Sequence, residues 1–558
     1  MAQGSLARSS LVMVGGSFGS RVLGVVRSAL LTAIIGTLAA GDAFSLANSL
    51  PNVFYMLAAG GILNAVLIPA LSRAMKLEDG GKEFTDRVVT MALGAMLLFT
   101  IVITACAGLF VRLLDGNRGQ SFSDLALAFS LICLPQIFFY GVFALLGQIL
   151  NAKGHFGAFA WAPFVANVVA VVGLLLFIVL FPAPKVLDGA GHRLPRPPEM
   201  WTGPMIWLLA GSATLSVVAQ AVWLIPALRR TGFTYRPRWG LRGVGLGGVS
   251  RLALWAFAGL AISQVGFFIT QWVLNYAAGR VPRGQPPLRG NSVYAIAFTI
   301  FMLPHAFIAV SIITALFPRL AHAAADHDYS RLRSDFRRGL TLPLVANVPV
   351  MAFFMVAARP IVALLNPGID DLSIDLAAAA LVVMIIGIVP FGVDLLCYRL
   401  FFALEDGKSP LVMQVLLTGT SLACGAATLL IAPQWALGVM AAGMTLGNII
   451  SSTTGVLRVR GHLGPLGLMR IMDSAARIGV AAAIAGLLAW GTLTVLSPIL
   501  GDPQDPAATS TFDRIFGSAV AITFSGLVFT AVYVGLAHAF RVREVQDLSD
   551  MVRRRIGR

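Results

Sequence analysis

The chain has 558 residues, 57% hydrophobic and 12% charged, with a mean hydropathy of +0.83 and a formal net charge of +16. That balance excludes a soluble globular protein and defines an all-α polytopic membrane protein. Most basic residues sit in short loops between apolar segments and not on a soluble domain, which argues for membrane orientation and against nucleic-acid binding.

Taken in order, the apolar segments predict about fourteen spans: 9–36, 42–72, 88–114, 122–151, 156–182, 204–228, 252–279, 291–318, 339–366, 374–404, 409–432, 434–457, 473–497 and 514–539. The first has no small-residue cleavage site after it and reads as a retained span, not a signal peptide. It carries Arg21 and Arg27. Each guanidinium costs about 2.5–3.5 kcal/mol at the bilayer centre, so each should face a protein cavity and a counter-charge or anion. Six residues on a helix amount to about 9 Å of rise and about 120° of rotation, so the two do not stack on one line. The alternative is that both lie near a helix end and snorkel to lipid phosphates; the apolar sequence on both sides of Arg27 argues against it. Asp42 opens the second span, which runs through Pro51, Gly60, Gly61 and Pro69. Gly24, Pro51, Gly60 and Gly61 are the candidate helix breaks or hinges, because Gly and Pro loosen a helix where it lines a cavity.

Charge counts test the topology. With the N-terminus inside, one set of alternate loops and both tails hold 27 of the 41 Lys and Arg, the other set holds seven, and seven lie within spans. This contrast predicts an even number of spans with both termini cytoplasmic. The Pro-rich stretch 183–203 is then external, and the basic stretch 229–251, with Trp239, is a cytoplasmic linker that either rests on an anionic leaflet or only sets topology.

An internal repeat is visible. Ile68-Pro69 and Phe317-Pro318 close spans two and eight at an offset of 249 residues; Ala107 and Ala358 begin matching span ends 251 apart; Gly154 and Gly407 follow spans four and ten 253 apart. A six-span unit has an even number of crossings, so both copies run the same way, as in parallel-repeat transporters. The expected division is a first lobe at 1–230, a linker at 231–250, a second lobe at 251–460, and two extra helices with a short tail at 461–558. Chemistry is thinner. Cys106, Cys133, Cys397 and Cys424 all lie in apolar segments with no metal or redox spacing, and no phosphate loop, nucleophile elbow or zinc motif occurs, so neither cofactor nor metal nor enzymatic activity is expected. Asp394, Asn167, Gln148 and Gln264 read as interhelical hydrogen-bond partners.

At this point a family comes into view. Ser20-Arg21-Val22-Leu23-Gly24, Arg27, Asp42-Ala43-Phe44 and Leu50-Pro51-Asn52 resemble the N-terminal signature of the MurJ (MviN) lipid II flippases. Gly147, Ile149-Leu150-Asn151, Phe156, Ala162-Pro163 and Asn167 are similar to that family's span-four to span-five turn, and Asp406-Gly407-Lys408-Ser409-Pro410 to its span-ten to span-eleven turn. The resemblance implies the fold of the MOP exporter superfamily, two six-helix lobes in a V plus two C-terminal helices. It implies flipping of the lipid-linked peptidoglycan precursor, lipid II, across the bacterial cytoplasmic membrane by alternating access. Ser20, Arg21, Arg27 and Asn52 then become substrate-binding candidates, and Asp42 a gating or charge partner of the arginines. The implied partners are lipid II, membrane lipids and cell-wall synthases. The diphosphate suits guanidinium forks, and the polyprenyl tail suits an apolar groove at the two extra helices. The chain departs from relatives that carry further arginines in spans two and eight; Tyr55 and Thr299 stand there. Arginine outnumbers lysine 36 to 5, as in GC-rich organisms, pointing to the actinobacterial branch. The rival readings are another MOP-type exporter, of polysaccharide-lipid or drug, and a non-transporting scaffold for cell-wall synthesis.

Overall fold

Backbone N–H and C=O groups cannot be left unpaired in a lipid interior, so long apolar segments close their own hydrogen bonds as helices. The computed structural model describes residues 2–59, 82–153, 155–183, 195–240, 251–281, 288–498 and 511–542. In these, twelve segments are long and apolar enough to cross a membrane, thirteen with the bent pair Asp371–Ile385 and Ile388–Ala403. The second expected span begins as a described helix, Ala39–Ala58, and continues into 60–81, outside the described residues.

The chain divides into two compact units, Met1–Ser292 and Val293–Arg558. The first contains α1 (Ala2–Ile35), α2 (Ala39–Ala58), α3 (Lys82–Ala105), α4 (Ala107–Leu114), α5 (Gln120–Cys133), α6 (Gln136–Ala152), α7 (Phe156–Leu180), α8 (Gly203–Val222), α9 (Leu224–Arg230) and α10 (Arg251–Gly279). The sequence reading opens the second lobe with α10, but here that helix packs with the first unit. The Asn275 side chain donates to the Leu114 carbonyl (2.7 Å). Gly116, at φ +63°, lies so close to α10 that a Cβ would stand 2.2 Å from the Tyr276 nitrogen. An aromatic cluster fastens the core: Phe129 meets Phe44 and Trp201 edge-on at 5.2 and 5.5 Å, and Phe177 lies 5.8 Å from Trp201.

After α11 (Asn291–Phe307), the second unit holds α12 (Ala309–Ala325), α13 (Tyr329–Val356), α14 (Ala358–Leu365), α15 (Asp371–Ile385), α16 (Ile388–Ala403), α17 (Lys408–Thr428), α18 (Ala436–Leu463), α19 (Leu468–Leu496) and α20 (Thr511–Ala539). The last two helices bury Ile478, Ala481, Ala485, Phe529 and Tyr533 with Val348 of α13. The Tyr533 hydroxyl donates to the Val345 carbonyl (3.1 Å).

Several spans are broken, three of them at or next to the residue four before a proline. A proline ring clashes with the carbonyl four residues earlier and offers no N–H to it. Pro226, Pro360 and Pro390 therefore act at Val222, Val356 and Ile386. Helix α8 ends at Val222, α13 at Val356, and α15 one residue before Ile386. The breaks also carry the repeat. Cys106 and Ala357 interrupt spans three and nine 251 residues apart, and Leu134 and Ile386 interrupt spans four and ten 252 apart. The turn before α17 is set by Asp406, whose carboxylate accepts from the Lys408 and Ser409 backbone N–H groups (3.0 and 3.1 Å) and from the Ser409 hydroxyl (2.5 Å). Burial works to raise this carboxyl, but those bonds and the neighbouring His462 outweigh it and hold it below its ordinary value.

Candidate functional site

The N-terminal signature interleaves packing residues with charged ones. Helix α1 lies along α7 on a seam of small residues, each leaving room for a specific partner. A Cβ on Gly16 would meet the Ala160 carbonyl at 2.9 Å, and one on Gly19 would meet Phe164 at 3.1 Å. One turn on, the Asn167 amide donates to the Ser20 carbonyl (2.8 Å) and the Ser20 hydroxyl (3.3 Å). A Cβ on Gly24 would stand 3.6 Å from the same amide nitrogen. Gly16, Ser20 and Gly24 thus form the close-approach spacing of membrane helix pairs. Ser20 is thus engaged with α7. One expectation is corrected: α1 runs unbroken through Gly24, whose lack of a side chain serves packing instead of a bend. Pro51 likewise lies buried inside a continuous α2. Gly60 and Gly61 lie outside the described residues.

The arginines stand in different surroundings. Arg21 is exposed. Arg27, seven residues beyond Ser20 and so back on nearly the same helix face, is half-buried, with Tyr140 and Cys133 in electrostatic reach. The Tyr140 ring lies 5.5 Å from that of Tyr55. A guanidinium near the Tyr140 phenol, in the middle of a span, can receive an anion that also accepts a phenolic hydrogen bond. Asn52 is exposed on α2, and the Thr299 hydroxyl donates to its own helix at Ala295 (2.7 Å).

Asp42 is fully buried, and its partner is neither Arg21 nor Arg27. Its Oδ2 pairs with the guanidinium of Arg118, in the turn between α4 and α5. Its Oδ1 accepts from the backbone N–H (2.7 Å) and hydroxyl (2.6 Å) of Ser292, at the start of α11, where unpaired helix N–H groups favour an anion. The correction has a simple cause: Asp42 sits in the first turn of α2, level with that turn, whereas the α1 arginines lie several turns down their own helix. Arg118 also lies over the Phe122 ring at 4.8 Å. The approach needs glycine twice: a Cβ on Gly290 would meet Asp42 Oδ2 at 3.2 Å, and one on Gly41 the Gly36 carbonyl at 2.3 Å. Beside it, Asn291 donates to Asn275 (2.8 Å) and to the Gln271 carbonyl (3.2 Å). Sequence reasoning missed Arg118, Asn275, Asn291 and Ser292. The signals were a turn signature, Asp115-Gly116-Asn117-Arg118-Gly119, directly after a span, and Asn291-Ser292 at a helix start.

In the second unit, α19 and α20 border an open apolar groove of about 480 Å³, lined by Leu488, Val495, Leu496, Phe524 and Val528 with Gly491 and Thr492.

A multispan helical bundle with several broken spans, and an arginine half-buried in the unbroken first one, fits a membrane transporter. The fold is that of the MOP superfamily. It matches a solved structure of the lipid II flippase MurJ in an inward closed conformation, with a TM-score of 0.66 at 15% identity, covering 94% of this chain and 98% of that one. It also matches an inward-facing multidrug resistance MATE family transporter of the MOP superfamily, with a TM-score of 0.59 at 17% identity, covering 82% of this chain and 98% of that one. Within that class, the family model for lipid II flippase MurJ matches residues 31–500, and the chain belongs to this family. A probable lipid II flippase MurJ of Rhizobium meliloti is 26% identical, covering 99% of this chain and 97% of the relative. The lipid II flippase MurJ of Burkholderia cenocepacia is 25% identical, covering 96% and 99%. A probable lipid II flippase MurJ of Haemophilus influenzae is 24% identical, covering 71% and 76%.

Proposed function

We propose that this protein carries lipid II from the inner to the outer leaflet of the bacterial cytoplasmic membrane by alternating access, without covalent chemistry. The observation that carries the reading, beside family membership, is Arg27: a half-buried guanidinium within a span of the first unit, with Tyr140 and Cys133 in electrostatic reach. A drug exporter shares the fold, but a cation inside an apolar span favours an anionic substrate, and the diphosphate of lipid II is one. The groove between α19 and α20 offers apolar surface to a polyprenyl tail. The six-span repeat, with lobes at 1–230 and 251–460 by sequence and α10 packed on the first unit in this conformation, is the frame in which we place the alternating motion. Cell-wall synthases are the partners that would consume the flipped lipid. Depleting the protein should make lipid II accumulate in the inner leaflet, read by its access to an externally added lipid II-cleaving enzyme. Undiminished access in depleted cells refutes the function.

The proposed orientation places both termini in the cytoplasm, residues 183–203 outside and 229–251 inside. In a variant lacking the four native cysteines, Gly191→Cys should react with an impermeant thiol reagent in intact cells and Gly240→Cys only after lysis. The reverse pattern would overturn the topology.

A further inference from the structure

Span ten is broken in the second unit. Helices α15 and α16 meet at a 49° bend at Ile386-Gly387, where Pro390 denies the Ile386 carbonyl its hydrogen bond. Two turns beyond the bend lies Asp394, which is 2% exposed. Its Oδ1 accepts from the Ser451 hydroxyl of α18 (2.9 Å), and its Oδ2 has no hydrogen-bond partner. The bend is lined by further buried side chains with an unpaired polar atom. On α18, one turn before Ser451, the Asn448 amide nitrogen is unpaired and would lie 3.4 Å from a Cβ on Gly387. On α13 the Asn347 amide oxygen is unpaired, and its nitrogen would lie 3.6 Å from a Cβ on Gly392. From α11 the His305 ring packs 4.3 Å from Phe391, its Nδ1 unpaired.

An ionised carboxylate here would have one neutral donor and no counter-ion. Cys397 and Tyr398 of its own helix are the titratable groups in electrostatic reach. Ser451 and Asn448 of α18 and Asn347 of α13 are neutral. Among the charged groups of the packed helices, Arg319 of α12 is engaged with Asp335 of α13 (2.9 Å), Arg333 of α13 with the Leu463 carbonyl (2.8 Å) and Arg458 of α18 with Ser409 (3.1 Å), and Arg399 of α16 itself lies over Phe317 at 5.1 Å. A single serine hydrogen bond does not offset the desolvation of a buried anion, whereas a neutral carboxyl loses far less on burial.

We propose that Asp394 is a proton-binding site of span ten, loaded on Oδ2 in this conformation and released when the bend at Gly387 rearranges. The step is a proton transfer alone: the Oδ2–H bond breaks, the proton passes to water, and the carboxylate left behind takes donors from Ser451 and Asn448. Broken spans hold the coupling-ion sites of several secondary transporters for the same reason: a discontinuous helix exposes polar backbone and can change shape. A proton exchanged once per cycle would couple the motion to a proton gradient; that coupling rests on the transport reading above, whereas the site itself does not.

The test is infrared spectroscopy of the full-length protein in lipid nanodiscs, with aspartate carboxyls isotope-labelled. At neutral pH the wild type should show the carbonyl stretch of a protonated, buried aspartic acid, and Asp394→Asn should lose it. Asp394→Glu, which keeps the acid and guards against misfolding of the amide variant, should replace it with an unlabelled glutamic acid band. In proteoliposomes with an imposed pH gradient, Asp394→Asn should lose the gradient dependence of flipping. Absence of the protonated band in the wild type, its persistence in Asp394→Asn, or its removal by sodium ions at constant pH would each overturn the proposal. A band that behaves as expected in a protein that flips no lipid II would uphold the proton site and refute the transport reading.

Discussion

Replacing Arg27 with alanine is expected to abolish lipid II transport while leaving folded protein in the membrane. The half-buried guanidinium stands within a span near Tyr140 and Cys133. Burying such a cation brings little stability by itself, so removing it relieves a desolvation cost. Losing its charge-assisted bond to a diphosphate costs about 1.5–3 kcal/mol, roughly a 10- to 150-fold loss of affinity. Arg27→Lys keeps the charge but not the bidentate fork, so it should retain part of the activity. Arg21, exposed on α1, should follow the same order with a smaller effect, because a solvated guanidinium gains less from each bond. Snorkelling arginines would behave otherwise: lysine would substitute fully, and alanine would mainly alter insertion. Flipping in cells that depend on each variant, measured beside the variant's amount in the membrane, decides the matter. Normal flipping by both Arg21→Ala and Arg27→Ala removes the arginine pair from the mechanism.

The spans were legible because a bilayer imposes a length: about twenty apolar residues per crossing, with basic loops on one side. The repeat was legible because its copies keep equal spacing, and the breaks at Cys106 and Ala357 show that spacing in the backbone. The helix breaks at Val222 and Val356 were present in the sequence as Pro226 and Pro360, since the clash reaches back four residues. Asn167 was legible as an interhelical partner, and so was Gln264, whose amide reaches the Met56 sulfur at 3.8 Å. The signature around Ser20 was harder because it interleaves two jobs on one helix: Ser20 and Gly24 face α7, and Arg21 does not. Hardest were the ion pairs between distant turns. Arg118 lies 76 positions from Asp42, and Ser292 lies 250. Only the packing of α2, α5 and α10 brings those turns together, and nothing in local spacing encodes it.

That pairing makes Asp42 a site where charge and stability are joined. In Asp42→Asn the amide oxygen can still accept from Ser292, so the cap on α11 survives. What is lost is the counter-charge of Arg118, whose side chain is 8% exposed beside a fully buried Asp42. Breaking a buried pair from one side leaves an uncompensated charge and costs about 3–5 kcal/mol. Asp42→Asn should therefore unfold at a clearly lower temperature than the wild type and transport poorly. Arg118→Gln alone should also destabilise, since it leaves an unpaired carboxylate whose remaining partner is Ser292. The double variant removes both charges and keeps both polar ends, so it should be less destabilised than the sum of the singles by about 0.5–3 kcal/mol. If Asp42 served Arg21 or Arg27 instead, the two substitutions would add, and Arg118→Gln would be nearly silent. Thermal unfolding of the four purified proteins in detergent gives the coupling directly, and flipping assays on the same set show whether restored stability restores transport. Strict additivity in the unfolding data would dismiss the Asp42–Arg118 pair as a stabilising element. Coupling in stability without recovery of flipping would mean that the charges themselves, and not only the fold they hold, are needed in the transport cycle.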